Sequence, residues 1–171
     1  GAREAGTWPG RRAAARGADP CCEETPMRRH GPPPRPSLTY RDRAGAYGVL
    51  LLGRDVLLAA QGDDLLLPGG GIDPGETPVR ALRREVFEET GWSIGPPRRI
   101  GVFARYAWLV EERYHARKIQ MVFVARPARR LGPPVEHDHE PVWMDAREAV
   151  AQLSAPGEGA MLAKVLDRLT W

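Results

Sequence analysis

The sequence predicts a mixed α/β (α+β) domain. Three observations carry that prediction. Residues 44–60 hold two apolar runs split by Gly53-Arg54-Asp55, the pattern of a strand, a turn and its hairpin partner. Residues 77–91 spell one amphipathic helix with both a start and a stop signal. Strand-like segments return at 99–126, and helical periodicity returns after residue 145, so the two element types are interleaved along the chain. A length of 171 residues suits one domain with a real core.

Residues 1–38 contain seven prolines, five glycines and no Val, Ile or Phe. Such a segment buries too little apolar surface to offset its ordering entropy, so a disordered N-terminal tail is expected there and the domain over 39–171. Ala44–Leu52 reads as a buried strand and Val56–Ala60 as its partner. A short strand at Leu65–Leu67 is expected to be broken by Pro68 and glycines 69–71. In the helix that follows, Thr77 suits the N-cap and Pro78 the first helical position. Val79, Leu82 and Val86 form its apolar stripe, and Gly91 suits a left-handed C′ residue. Arg99–Leu109 and Lys118–Arg126 read as strands joined by a loop at Val110–Arg117. Alternation from Lys118 to Phe123 predicts one buried face, with Ile119, Met121 and Phe123 inward. Phe103 and Trp143 read as core. Residues 127–141 read as a long loop, Val142–Met144 as a short strand, and Asp145 with Glu148 as a capping box for a helix to about Leu153. A last helix follows Gly157, with Leu162, Val165, Leu166 and Leu169 on its apolar face.

The chemistry concentrates at the end of the first helix. Glu85, Glu88 and Glu89 stand at i, i+3 and i+4, a spacing that sets like charges side by side. They also lie near the negative pole of the helix dipole, where Lys or Arg is favoured. A bound cation would offset both penalties. Oxygen ligands without cysteine or histidine in the cluster point to Mg²⁺ or Mn²⁺ rather than zinc. The plain alternative is a solvated acidic face.

Gly70, Glu76, Arg84, Glu85, Val86, Glu88, Glu89, Gly91 and Trp92 fill every defined position of G-x5-E-x7-R-E-U-x-E-E-x-G-U, where U is a bulky apolar residue. The segment therefore resembles the Nudix box. The resemblance implies an α/β/α sandwich with a mixed sheet. It also implies a metal-dependent pyrophosphohydrolase acting on a nucleoside diphosphate linked to another group. On this resemblance Glu85, Glu88 and Glu89 would hold Mg²⁺ or Mn²⁺ and Arg84 would orient a carboxylate, Glu85 or Glu88. A carbonyl of Gly69 or Gly70 is a candidate further ligand, and Glu76 would tie the loop to the helix start. Family members often add a glutamate from a later loop that assists the attacking water or binds metal. Glu136 and Glu140, in the run EHDHE with His137 and His139, are the candidates here. The same run read as a zinc site is weaker, because HxH without cysteine is a poor zinc pattern.

Substrate choice lies outside the box. A nucleoside triphosphate is the first expectation, in the manner of the MutT-like members. A dinucleoside polyphosphate, a nucleotide sugar, or nucleotide sensing without turnover are the alternatives. No coenzyme A-type signature precedes the box and no NADH-type signature follows it. The position where ADP-ribose enzymes tend to carry a proline is near Ala107, and Tyr106 and Trp108 are either base-stacking groups or strand core.

The net charge is +3, but the excess is local: residues 1–40 hold seven arginines against four acids, and residues 41–171 are balanced. That speaks against a nucleic-acid surface built on bulk charge. The two cysteines, Cys21 and Cys22, are adjacent and do not form a disulfide framework, which suggests a reducing, cytoplasmic setting. No apolar run is long enough to span a membrane. Nudix domains are often dimers, and nothing in the sequence decides whether this one is a homodimer.

Overall fold

The computed structural model describes residues 27–169. Ten strands and three helices follow in chain order. They are β1 (Arg28–Arg29), β2 (Arg41–Leu52), β3 (Asp55–Gln61), β4 (Asp64–Leu66), β5 (Gly69–Gly71), α1 (Pro78–Thr90), β6 (Trp92–Ile94), β7 (Arg98–Leu109), β8 (Tyr114–Ala125), β9 (Pro127–Arg130), β10 (His139–Asp145), α2 (Ala146–Gln152) and α3 (Glu158–Leu166). The main sheet runs β1-β7-β8-β2-β3-β10, with β5 paired to β2 and β4 to β3. β2 lies parallel to β8 and β1 parallel to β7, while the remaining pairs are antiparallel, so the sheet is mixed.

Alternation along the central strands sorts side chains to two faces. Ala46, Leu50, Leu57 and Phe123 face Ala81, Leu82 and Val86 of α1. Tyr47, Val49, Val56, Leu58, Phe103 and Val122 face α2 and α3 through Ala146, Ala149, Leu162 and Val165. The fold is thus an α/β/α sandwich. Leu82 and Val86 are fully buried, and each contributes roughly 1.5–3 kcal/mol of transfer free energy.

Several expectations change. Both faces of β8 are covered, so Val122 and Gln120 are as buried as Phe123. The expected single inward face fails because helices lie on both sides of the sheet. The expected loop at Val110–Arg117 contracts to a turn, with Arg113 at φ 56°, because Tyr114–Arg117 continue the pairing with β7. The expected loop at 127–141 contains β9, which pairs with the unpredicted β6, and the first residues of β10. Glycines 69–71 do not merely break a strand but form β5 against Gly45–Tyr47. Trp143 is not core: it lies on the edge strand β10, 37 % exposed and edge-on to Trp92. Leu169 falls beyond α3 and is exposed.

Part of the segment expected as a tail, Arg28–His30, pairs with the sheet. Arg28 and Arg29 pair with Phe103 and Ala104, and the His30 amide donates to the Ala104 carbonyl at 2.9 Å. The His30 ring meets Phe103 edge-on at 5.1 Å. Backbone pairing and one aromatic contact order a segment that composition alone marks as tail. Residues 1–26 of that expected tail, including the cysteine pair Cys21 and Cys22, lie outside the described residues. Among the described residues no helix is long and apolar enough to cross a membrane.

Candidate active site

Helix α1 presents the glutamates because both of its ends are fixed. The Thr77 hydroxyl accepts from the Arg80 amide at 3.3 Å, and Pro78 opens the helix. Gly91 closes it at φ 74°, and its amide donates to the Phe87 carbonyl at 2.8 Å. A Cβ at Gly91 would collide with the Gly132 carbonyl, so glycine also admits the following loop. That loop satisfies carbonyls the last helical turn leaves open. The Leu131 amide donates to Gly91 O at 2.8 Å, and the amides of Val135 and Glu136 both donate to Glu88 O, at 2.8 and 3.0 Å. The Glu136 carboxylate is thereby delivered to the helix end.

Two groups of donor atoms result, each with members within 4.8 Å of one another: Glu85, Glu88 and Glu136, and Glu89, Glu136 and His139. Glu136 belongs to both. His139 is buried, with Nδ1 2.9 Å from Glu136 and 3.0 Å from Asp138, and Nε2 3.5 Å from Glu89.

Arg84 holds the array from one side. Its Nε and Nη2 each donate to Glu76 at 3.0 Å, Nη1 donates to Glu85 at 2.8 Å and to Glu88 at 3.1 Å, and Nη2 reaches the Gly71 carbonyl at 3.0 Å. The fork on Glu76 is the largest reason its guanidinium is held charged, followed by Glu85. Glu76 is lowered in turn by that pairing and by the Asp73 amide.

Glu85 and Glu89 are shifted upward. Burial raises Glu85 against the pull of Arg84, with Glu88 and Glu136 adding to the rise. Burial pushes Glu89 up to about 9, opposed by the Gly69 amide that donates to it at 2.9 Å and reinforced by Glu85 and Glu136. Protein groups alone therefore leave this cluster short of positive charge. Its donor set, hard carboxylate oxygens with one imidazole, fits Mg²⁺ or Mn²⁺.

The glycines of β5 make room. A Cβ on Gly70 would lie 2.6 Å from the Glu85 carboxyl carbon, and one on Gly69, at φ 144°, would collide with the Ala46 carbonyl. Beside β5 opens a cavity of about 340 Å³ whose lining includes Glu89, Tyr47, Arg43, Arg105, Lys118 and Trp108.

A NUDIX domain model matches residues 41–165, nearly three quarters of the chain. The chain belongs to the Nudix family.

Among curated relatives, this Nudix domain is 41 % identical over 64 residues to a Bacillus subtilis (strain 168) protein named "Putative 8-oxo-dGTP diphosphatase", covering 36 % of this chain and 43 % of that one. It is 27 % identical over 107 residues to diphosphoinositol polyphosphate phosphohydrolase 2 of Rattus norvegicus, covering 63 % of this chain and 56 % of that one. The match thus spans about half the length of each of these relatives. A NUDIX hydrolase from Nitrosomonas europaea superposes with a TM-score of 0.61 at 19 % identity, over 77 % of this chain and 97 % of that chain, which shows a shared fold.

Of the residues singled out from the sequence of this Nudix domain, Arg84, Glu85, Glu88, Glu89, Glu136, Gly69 and Gly70 come together. Glu140 does not. It points outward from β10 opposite Ala60, because strand alternation turns it away from the buried His139. Gly69 contributes its amide to Glu89, a contact not anticipated. His139 was visible only as a neighbour of the acids; its burial follows from its place at the head of β10. Arg43, Arg105, Lys118 and Glu158 went unmarked, since each is an ordinary residue until the strand registers align them. Trp108 is half exposed at the cavity, whereas Tyr106 packs edge-on to Tyr40 at 4.8 Å.

Proposed function

We propose that this Nudix domain is a Mg²⁺- or Mn²⁺-dependent pyrophosphohydrolase that cleaves a phosphoanhydride in a nucleoside diphosphate linked to another group, with a nucleoside triphosphate as the first substrate. The observation that carries the reading is the convergence of Glu85, Glu88 and Glu136 within 4.8 Å, with Arg84 on Glu85 and Glu88 and with Glu89 of the same helix lining the cavity beside β5. The name of the Bacillus subtilis relative supports the choice of a triphosphate.

Glu85, Glu88, Glu89 and Glu136 would hold the cation. When bound, such a cation supplies charge against phosphate oxygens and an acidified water at neutral pH. Arg84 keeps Glu85 and Glu88 in one orientation, so little reorganisation is left for the moment of reaction. Glu136 is the carboxylate best placed to take a proton from an attacking water, because it lies within reach of both donor groups. His139 fixes Glu136 through Nδ1 and covers the buried side of Glu89.

Release of phosphate or pyrophosphate from nucleoside triphosphates, nucleotide sugars, dinucleoside polyphosphates and diphosphoinositol polyphosphates, with Mg²⁺ or Mn²⁺, tests the reading. Turnover of the triphosphates above the other classes supports it. No turnover of any of them by folded protein removes the hydrolase and leaves nucleotide sensing.

A further inference from the structure

Three cations stand side by side on one face of the sheet. Lys118 on β8 is the register partner of Arg43 on β2 and of Arg105 on β7. Neighbouring strands lie about 4.8 Å apart, and like charges directly opposite one another are destabilising. All three side chains line the cavity that opens beside Glu89 and glycines 69–71.

The charges are poorly compensated. Arg43 has Glu112 at 3.7 Å, on the partly exposed turn at the rim. Among the described residues neither Lys118 nor Arg105 has a carboxylate within ion-pair distance. Lys118 instead lies over the Tyr47 ring, with Nζ 5.7 Å from its centre. Burial and the neighbouring Arg105 charge lower its ammonium to about 8.

Arg105 is also held in place from behind. Its Nε donates to the Gln120 carbonyl oxygen at 2.6 Å, and the Gln120 amide donates to Glu158 at 3.2 Å. Both partners are fully buried, and Glu158 accepts a second bond from the Leu67 amide at 2.8 Å. Two buried polar side chains are thus committed to fixing one guanidinium at the cavity wall, a costly arrangement unless its position matters.

We infer that Arg43, Lys118 and Arg105 form a phosphate subsite for charge beyond the diphosphate held at the glutamates, so that the substrate carries three or more phosphates. This deepens the hydrolase reading, on which its substrate rests. Its test does not require turnover.

Binding of inorganic tripolyphosphate and of inorganic pyrophosphate is measured calorimetrically with Mg²⁺, on the full chain and on Lys118→Met, Arg105→Met and Arg105→Lys. Wild type binds tripolyphosphate at least about tenfold more tightly than pyrophosphate, the worth of one charge-assisted contact. The two methionine variants bring that ratio toward one, and Arg105→Lys retains part of it. Equal binding of both probes by wild type, binding of neither, or an unchanged ratio in the folded variants overturns the subsite. Failure of the subsite and failure of the hydrolase remain distinguishable, because the latter is read from wild-type turnover with Mg²⁺.

Discussion

The backbone amide of Glu136 donates to the Glu88 carbonyl at 3.0 Å, and together with the Val135 amide on the same oxygen it links the last turn of α1 to a loop almost fifty residues further along. It satisfies a helix-end carbonyl and places a fourth carboxylate against the box. Glu140, four residues later, receives no such bond and faces solvent. Glu136→Gln should therefore lower kcat by about a hundredfold or more, the usual scale for a lost general base, with the fold intact. Glu140→Gln should stay within about twofold of wild type, a change of less than 0.5 kcal/mol. Steady-state rates on the best substrate check the pair, and a larger loss in Glu140→Gln would reverse the assignment.

Arg84 is the only cation in contact with Glu76, Glu85 and Glu88 among the described residues. Arg84→Ala should cost about 1–3 kcal/mol of stability in chelator, since it leaves partly buried carboxylates without a partner. Saturating Mg²⁺ should recover part of that cost by binding the folded state, while turnover stays low because the carboxylates are no longer oriented. Urea unfolding with and without Mg²⁺ measures the first effect. Equal losses in both conditions would contradict the account.

Two adjacent glycines should fail differently. In Gly69→Ala the new methyl meets backbone at a positive φ, so stability should fall by about 2–3 kcal/mol. In Gly70→Ala it meets the Glu85 carboxylate at 2.6 Å, a side chain that can turn. Stability should then change by less than about 1 kcal/mol while kcat/KM drops at least about tenfold through lost geometry. Thermal melts and rates on both variants separate the outcomes.

Lys118 gives a pH dependence with two opposite signs. Its ammonium is lowered to about 8 from 10.5, first by burial and then by Arg105. Below about pH 8 both the folded and the unfolded chain carry the proton, and the fold bears the cost of burying the charge. Between 8 and 10.5 the unfolded chain binds the proton that the folded chain has lost, so stability gains from this group as pH rises. Tripolyphosphate affinity should move the other way, weakening as pH climbs through about 8. Comparison with Lys118→Met isolates both slopes; identical profiles in variant and wild type would remove Lys118 from the subsite.

The sequence made the box and its helix legible because every signal there is local. Thr77, Pro78 and Gly91 mark the ends, and Glu85, Glu88 and Glu89 mark one face. Partners brought in by long-range pairing were less legible. Glu136 could be shortlisted with Glu140, but only the bonds to Glu88 separate them. The row of Arg43, Lys118 and Arg105 exists only once β2, β8 and β7 are in register. Alternation turns Gln120 outward, but a sheet covered on both faces has no outward side, so Gln120 is buried. The order of Arg28–His30 was hidden because it comes from β7, not from its own composition.

The most direct test of the central claim is the rate of phosphoanhydride hydrolysis by wild type and Glu88→Gln, each with Mg²⁺ and with chelator. The account predicts turnover only in wild type with Mg²⁺, with Glu88→Gln folded yet slower by at least about a hundredfold. Hydrolysis that survives chelation, or that Glu88→Gln leaves unchanged, would contradict it.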